Sequence, residues 1–235
     1  MRWKFCFHVN LQASTPRYIH KYTVASIILP ILQSTIKSEQ LIPFFGYLAN
    51  KGECSKCSTQ IDGSYLFNEI FTAALLIYLI NLLGIINPLT WLIFSIAMIL
   101  YVQALMDFKT LLLSQPLSFL LILIGLVANL GFEIFTVPLD ALLGILFGYG
   151  LLFSINQLYK MLRSQDGIGS GDFLLLSGIG SILGASAIGP ILLLGSSLTI
   201  CIHVISKDPQ TKELPLGFGL GFGGIIYLLM LMTLR

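Results

Sequence analysis

Charge is scarce in this 235-residue chain. Asp, Glu, Lys and Arg make up 10% of it, against 56% hydrophobic residues, and the mean hydropathy is +0.89. A soluble domain of this length cannot hide so much apolar surface, so the composition requires several spans of roughly 17–25 apolar residues. Cysteine is scarce too. Cys6, Cys54, Cys57 and Cys201 do not form a disulfide framework, and Cys201 lies inside an apolar run, where a thiol behaves as a small hydrophobe. The opening MRWKFCFHVNLQASTPRYIHKY has no continuous apolar core, so no secretory signal peptide is expected. Internal repeats and low-complexity tails are missing. The net charge is +2, and no nucleic-acid partner is expected.

The charge that is present is unevenly placed. Arg2, Lys4, Arg17, Lys21, Lys37, Lys51 and Lys56 against Glu39 and Glu53 give residues 1–60 a net +5, which leaves −3 for the remainder. The chain divides into a basic segment, 1–66, and a membrane region, 67–235. Within the first, YTVASIILPIL is short and holds Pro30, so it is not read as a span. Seven membrane candidates follow, at 68–87, 89–106, 115–132, 139–158, 172–186, 187–206 and 214–234. Each should be helical, because a helix satisfies its own backbone polar groups in lipid. The expected fold is an all-α polytopic membrane bundle of about seven transmembrane helices with a small N-terminal cytosolic segment.

Lysine and arginine set the orientation. The connections GIINPLT, GFEIFTVP and GASAIGP contain neither, whereas the alternate ones hold Lys109, then Lys160 and Arg163, then Lys207 and Lys212. The positive-inside rule places the latter connections and the N-terminal segment in the cytoplasm of a cell-membrane protein. Arg235 is a mild exception. Glycine is frequent, with 22 residues in the chain, and is concentrated in GSGDFLLLSGIGSILGASAIG and LGFGLGFGGI, where small residues let membrane helices approach closely.

Two acids stand apart. Asp107 lies in almost unbroken hydrocarbon, LIFSIAMILYVQALMDFKTLLLSQ, and Asp172 opens an apolar run in GSGDFLLLSGIG. The orientation above puts both at cytoplasmic helix ends and at similar depth. An intramembrane acid is a functional-site hypothesis. Two carboxylates that meet in a low-dielectric pocket share a proton, so one can act as general base on a water while the other polarises an amide carbonyl. The glycines before Asp172, Gly169 and Gly171, would leave room for a substrate backbone. Other readings stay open on the residues alone. Asp172 can cap a helix N-terminus, Asp107 can pair with Lys109 or snorkel, and intramembrane acids also serve proton- or ion-coupled transporters.

The sequence resembles the prepilin peptidases, or type IV leader peptidases, including the competence-pilin processing enzymes of Gram-positive bacteria. GIGSGDFLLL is similar to the family's GxGD motif. QLIPFFGYLANKGECSKC resembles its cysteine-bearing cytosolic segment, and YLFNEIFTAALL resembles its YPLxExxTxxL helix entry. MDFKTLLLSQ resembles xDxxxxLLPD, and KDPQTKELPLGFGLGFGG resembles the late IPFGPF stretch. The five blocks are collinear over residues 40–235. The resemblance implies an aspartyl endopeptidase with Asp107 and Asp172 as the catalytic pair, needing no cofactor. It further implies prepilin or pseudopilin substrates, whose short basic leader is removed at the cytoplasmic membrane face for pilus, secretion or competence assembly.

The departures lie mostly in the first segment. Family members often carry two CxxC pairs compatible with a Cys₄ zinc site. Here Cys54 and Cys57 form one pair, and Leu29 and Leu32 stand where the other would be. Two thiolates cannot close a structural zinc site alone, with Cys6, His8 and His20 the residues at hand to assist. Residues 1–25 hold no helix like the family's first, giving seven spans rather than eight. N-methylation from S-adenosylmethionine, associated with this segment, is not assigned to the chain. Ser114–Gln115 replaces a usual Pro-Asp, and Leu174 stands where many relatives carry lysine. A non-enzymatic assembly or binding protein with structural aspartates is the alternative these departures favour. The basic segment should sit against anionic lipid head groups rather than attract basic leaders, which leaves leader recognition to acids such as Glu39, Glu53 or Asp166, or to shape.

Overall fold

The structure, a computed structural model, describes Gly52, residues 62–206 and residues 214–234. Among them the regular elements are all helical: α1 Ser64–Leu83, α2 Pro88–Thr110, α3 Gln115–Phe132, α4 Pro138–Arg163 and α5 Ser170–Leu183. A 3₁₀ turn, Ala185–Ala187, leads into α6 Ile188–Ser206, and α7 Leu216–Thr233 follows. Six of the seven helices are long and apolar enough to cross a bilayer, α5 being the exception. The chain is a multi-pass membrane protein. It forms two compact units, 1–77 and 78–235, and both Asp107 and Asp172 lie in the second.

Local sequence sets the helix ends. Asn87 precedes Pro88 and its Oδ1 accepts the Leu89 N–H at 3.0 Å, so α2 begins with a side-chain cap and a residue that lacks an N–H. Pro138 likewise opens α4, there without a side-chain cap. Asp140 stands in its first turn and Lys160 and Arg163 in its last, the arrangement that complements the helix dipole. Within the unit α5 packs chiefly on α4 and α3, and α7 on α6 and α2.

Glycine makes these contacts close. Gly144 of α4 and Gly180 of α5 meet backbone to backbone, so that a Cβ on either would strike the other's carbonyl oxygen. Gly195 of α6 and Gly219 of α7 do the same. Without a hydrophobic drive between helices in lipid, such close approach is a main source of their cohesion.

The expected span at 172–186 is the one revised. The helix stops at Leu183, and Gly184 adopts φ +86° before the 3₁₀ turn. At 14 residues α5 is ~21 Å long, against ~30 Å of hydrocarbon. Its residues are apolar because protein surrounds them: every residue from Asp172 to Leu183 except Leu174 is buried. Composition alone cannot tell lipid from protein as the source of that burial. Asn129, fully buried at the end of α3, anchors the far end of α5. Its Nδ2 donates to the Ser181 and Ile182 carbonyls at 2.8 and 2.9 Å, and its Oδ1 accepts from Phe135 and Thr136 at 3.0 and 3.2 Å.

Candidate active site

Asp107 lies in the last turn of α2 and is 5% exposed. Its carbonyl accepts the Leu111 N–H at 2.8 Å, which closes the helix with Leu111 left-handed. A carboxylate at a helix C-terminus meets the negative end of the dipole. α7 compensates. Phe218 is its third residue, carrying one of the free N–H groups of a helix start, and donates to Asp107 Oδ2 at 2.8 Å. Asp107 is not paired with Lys109; the ion pair among the described residues is Lys160–Asp166.

Asp172 is the third residue of α5, follows the N-cap Gly169, and is 8% exposed. Its N–H donates to the Gly169 carbonyl at 3.1 Å, and its carboxylate faces the Gly169 backbone and interacts electrostatically with Asp107. The first-turn position that the capping reading anticipated is realised, and Asp107 lies near enough to act on the Asp172 carboxylate electrostatically. Asp172 Oδ1 is buried with no hydrogen-bond partner among the described residues. Thus the positive ends of two helices, α5 and α7, lie at the two acids, which act on each other electrostatically.

Leu113, in the link between α2 and α3, wedges this arrangement. A Cβ on Gly171 would lie 2.7 Å from Leu113 Cβ, and one on Gly217 would lie 2.8 Å from Leu113 Cδ1. Gly169 is exposed, while Gly171 has Leu113 against it. Aromatic rings flank both acids. Phe108 packs on Phe218 with centroids 5.2 Å apart, and Phe173 meets Tyr149 and Phe153 edge-on at 5.7 and 6.3 Å. One turn before Asp107 lies Gln103, fully buried, whose Nε2 donates to Ser118 Oγ at 3.0 Å. Its Oε1 is the second buried acceptor without a partner among the described residues. Leu113, Gln103 and Phe218 were not foreseen. A signal existed for Phe218, which sits in the late LPLGFG block, but none for Gln103, whose partner is 15 residues away.

The segment leading to Asp172 is held by α4. Asn156 Oδ1 accepts the Gly167 and Ile168 N–H groups at 2.8 and 3.0 Å, and its Nδ2 donates to Asp166 Oδ1 at 3.2 Å. Asp166 also pairs with Lys160 at 3.1 Å. The Lys160 hydrogen bond, and after it the one from Asn156, hold the Asp166 carboxyl below the usual carboxylate range. Its charge is already engaged within the chain.

Comparison with known proteins adds to this geometry. A model described as the type IV leader peptidase family matches residues 91–205, and one described as the bacterial peptidase A24 N-terminal domain matches residues 18–82. The prepilin leader peptidase/N-methyltransferase of Aeromonas salmonicida is 33% identical over 214 residues, covering 85% of this chain and 69% of the relative. The chain belongs to the type IV leader peptidase family. The protein of the same name from Pseudomonas aeruginosa is 33% identical over 201 residues, covering 83% of this chain and 68% of its own. That of Neisseria gonorrhoeae is 30% identical over 208 residues, covering 84% and 68%. No solved structure matches the chain.

The leader peptidase match over 91–205 takes in both acids and stops before α7, so the Phe218 contact with Asp107 comes from outside it. Cys54 and Cys57 lie outside the described residues. Among those described, no group of three or more His, Cys, Asp or Glu could hold a metal ion. Cys54 and Cys57 supply two of the four ligands that a closed zinc site needs, so the pair alone does not fit one.

Proposed function

We propose that this protein is a membrane aspartyl endopeptidase that removes the short basic leader from prepilin or pseudopilin precursors. It acts at the cytoplasmic face of the cell membrane, with its N-terminal segment in the cytosol. Its products feed pilus, secretion or competence assembly. The observation that carries the reading is the meeting of Asp107 and Asp172, two buried carboxylates from different helices, in a chain of the type IV leader peptidase family.

The chemistry follows from the pair. Two buried carboxylates that act on each other electrostatically share one proton, which belongs to the pair rather than to either residue. The ionised member takes a proton from water as the oxygen attacks the scissile carbonyl carbon, and the protonated member gives its proton to the carbonyl oxygen. The resulting tetrahedral diol collapses as the C–N bond breaks. The leaving nitrogen takes a proton from one carboxyl, the other recovers the diol proton, and the pair returns to its starting state with no covalent intermediate. Exposed Gly169 borders the site as a surface for the substrate backbone, and Gly171 serves it indirectly, by admitting Leu113.

The test is cleavage of a co-expressed prepilin, read as a mobility shift, by the wild type, Asp107→Asn and Asp172→Asn. Loss in both variants, with each still in the membrane, is the expected result. Cleavage that survives either change removes that residue from the mechanism, and a wild type that does not cut defeats the reading.

A further inference from the structure

Asn156 touches neither carboxylate in any described contact, yet the segment that carries Asp172 hangs from it. Six residues, 164–169, join the end of α4 to the start of α5. At Ser164 the chain turns left-handed, φ 56°, and its N–H bonds back to the Lys160 carbonyl at 2.8 Å. It then returns along α4, toward residues already passed. There Asn156, 8% exposed, accepts two consecutive N–H groups, those of Gly167 and Ile168. The next residue is Gly169, the N-cap of α5, and three further on is Asp172.

We propose that Asn156 is a positioning residue for Asp172. By fixing two peptide planes ahead of the N-cap it sets where α5 begins, and so where its third residue meets Asp107. This inference rests on the peptidase reading above and adds to it a residue the pair depends on. The chemistry of the position selects an amide. Its oxygen serves the two N–H donors, and its NH₂ must face a carboxylate, Asp166 Oδ1 at 3.2 Å. An aspartate would keep the first role and set two carboxylates against each other in the second. Lys160, one turn along α4 from Asn156, holds the outer side of Asp166. That ion pair is about half exposed on both sides (51% and 61%) and contributes little alone. The part-buried amide bonds, anchored on a buried side chain, carry the geometry. Gly167 completes the fit, since a Cβ there would lie 2.7 Å from the Tyr159 ring.

Misplacing a reacting group by about 1 Å costs on the order of 100-fold in rate. The full-length protein in phospholipid vesicles, given a synthetic peptide with a basic leader, should therefore show Asn156→Ala with kcat lowered tenfold or more and KM within about twofold of wild type. Amide exchange at Gly167 and Ile168 should quicken in the same variant. The decisive variant is the swap, Asn156→Asp with Asp166→Asn. It keeps the acceptor for the two N–H groups and reverses the amide–carboxylate pair, so kcat and exchange should return toward wild type, whereas Asn156→Asp alone stays impaired. Wild-type kcat in Asn156→Ala, a loss confined to KM, or a swap no better than Asn156→Asp alone overturns the inference. Asp172→Asn in the same assay separates the two claims. If it cleaves like wild type, the peptidase reading fails and takes this inference with it. If it is dead while Asn156→Ala is fully active, this inference alone fails.

Discussion

Asp107 and Gly217 are in contact with no room between them: a Cβ at 217 would lie 3.0 Å from the Asp107 carboxyl carbon and 3.0 Å from Oδ2. The same atom would meet Leu113 Cδ1 at 2.8 Å, whereas at Gly171 the obstacle is Leu113 Cβ at 2.7 Å. Overpacking of this kind costs about 1–3 kcal/mol. Gly217→Ala should lower both thermal stability and cleavage. Adding Leu113→Ala should recover part of the stability but not the cleavage, because Asp107 is still pushed. The same second change should do nothing for Gly171→Ala, since alanine keeps its Cβ. Thermal melts and cleavage rates of the four variants check this, and equal rescue at both glycines would contradict it.

Asn129→Ala leaves one buried and one part-buried N–H group and two carbonyls to find other partners. Each unsatisfied group costs about 1–3 kcal/mol, so a destabilisation of at least about 3 kcal/mol is expected. Asn129→Asp should be worse than alanine, because it turns a carboxylate oxygen toward the Ser181 and Ile182 carbonyls. Denaturation in mild detergent gives the order of the two variants.

Gly180→Ala and Gly144→Ala should each separate α4 from α5. Backbone faces backbone at this crossing, so no side chain can swing aside, and the loss should lie at the upper end of the overpacking range, about 3 kcal/mol or more. Gly150, with open space where its Cβ would be, is the control: Gly150→Ala should leave the melting temperature unchanged or raised.

Asp166 carries a pH dependence whose sign follows from its partners. Its carboxyl is held low by Lys160 and Asn156, so the folded loop prefers the charged form. That contribution is fully present above the ordinary carboxylate value, about 4, and is lost as the pH falls through the lowered folded value. The ratio of amide exchange rates at 166–168 between Asp166→Asn and wild type should exceed one near neutral pH and fall toward one in acid. A ratio independent of pH would contradict the assignment.

Hydropathy and lysine placement were enough to read the helices, their order and the two acids. Asp107 and Asp172 stand out because charge is so rare around them. The length of α5 was not legible, because burial by α3 and α4 and burial by lipid select the same residues. Nor were the roles of Asn129 and Asn156. A single amide in an apolar helix looks like a polar defect until the segment it serves, 52 residues away for Asn129 and Ser181, comes back to it. Asp166 read as a free acid because Lys160 lies on the preceding helix, and only the reversal at Ser164 brings them together.

The unequal lengths of α4 and α5 shape how the chain reaches Asp172. Phe173, in the first turn of α5, packs on Tyr149 and Phe153, so residues 154–163 of α4 continue past the start of its neighbour. Ten residues of helix make an overhang of ~15 Å. The segment 164–169 doubles back along it to Asn156, and Lys160 and Arg163 stand at its outer end. One long helix thus serves its short neighbour twice, as packing partner and as the rail along which the chain re-enters it.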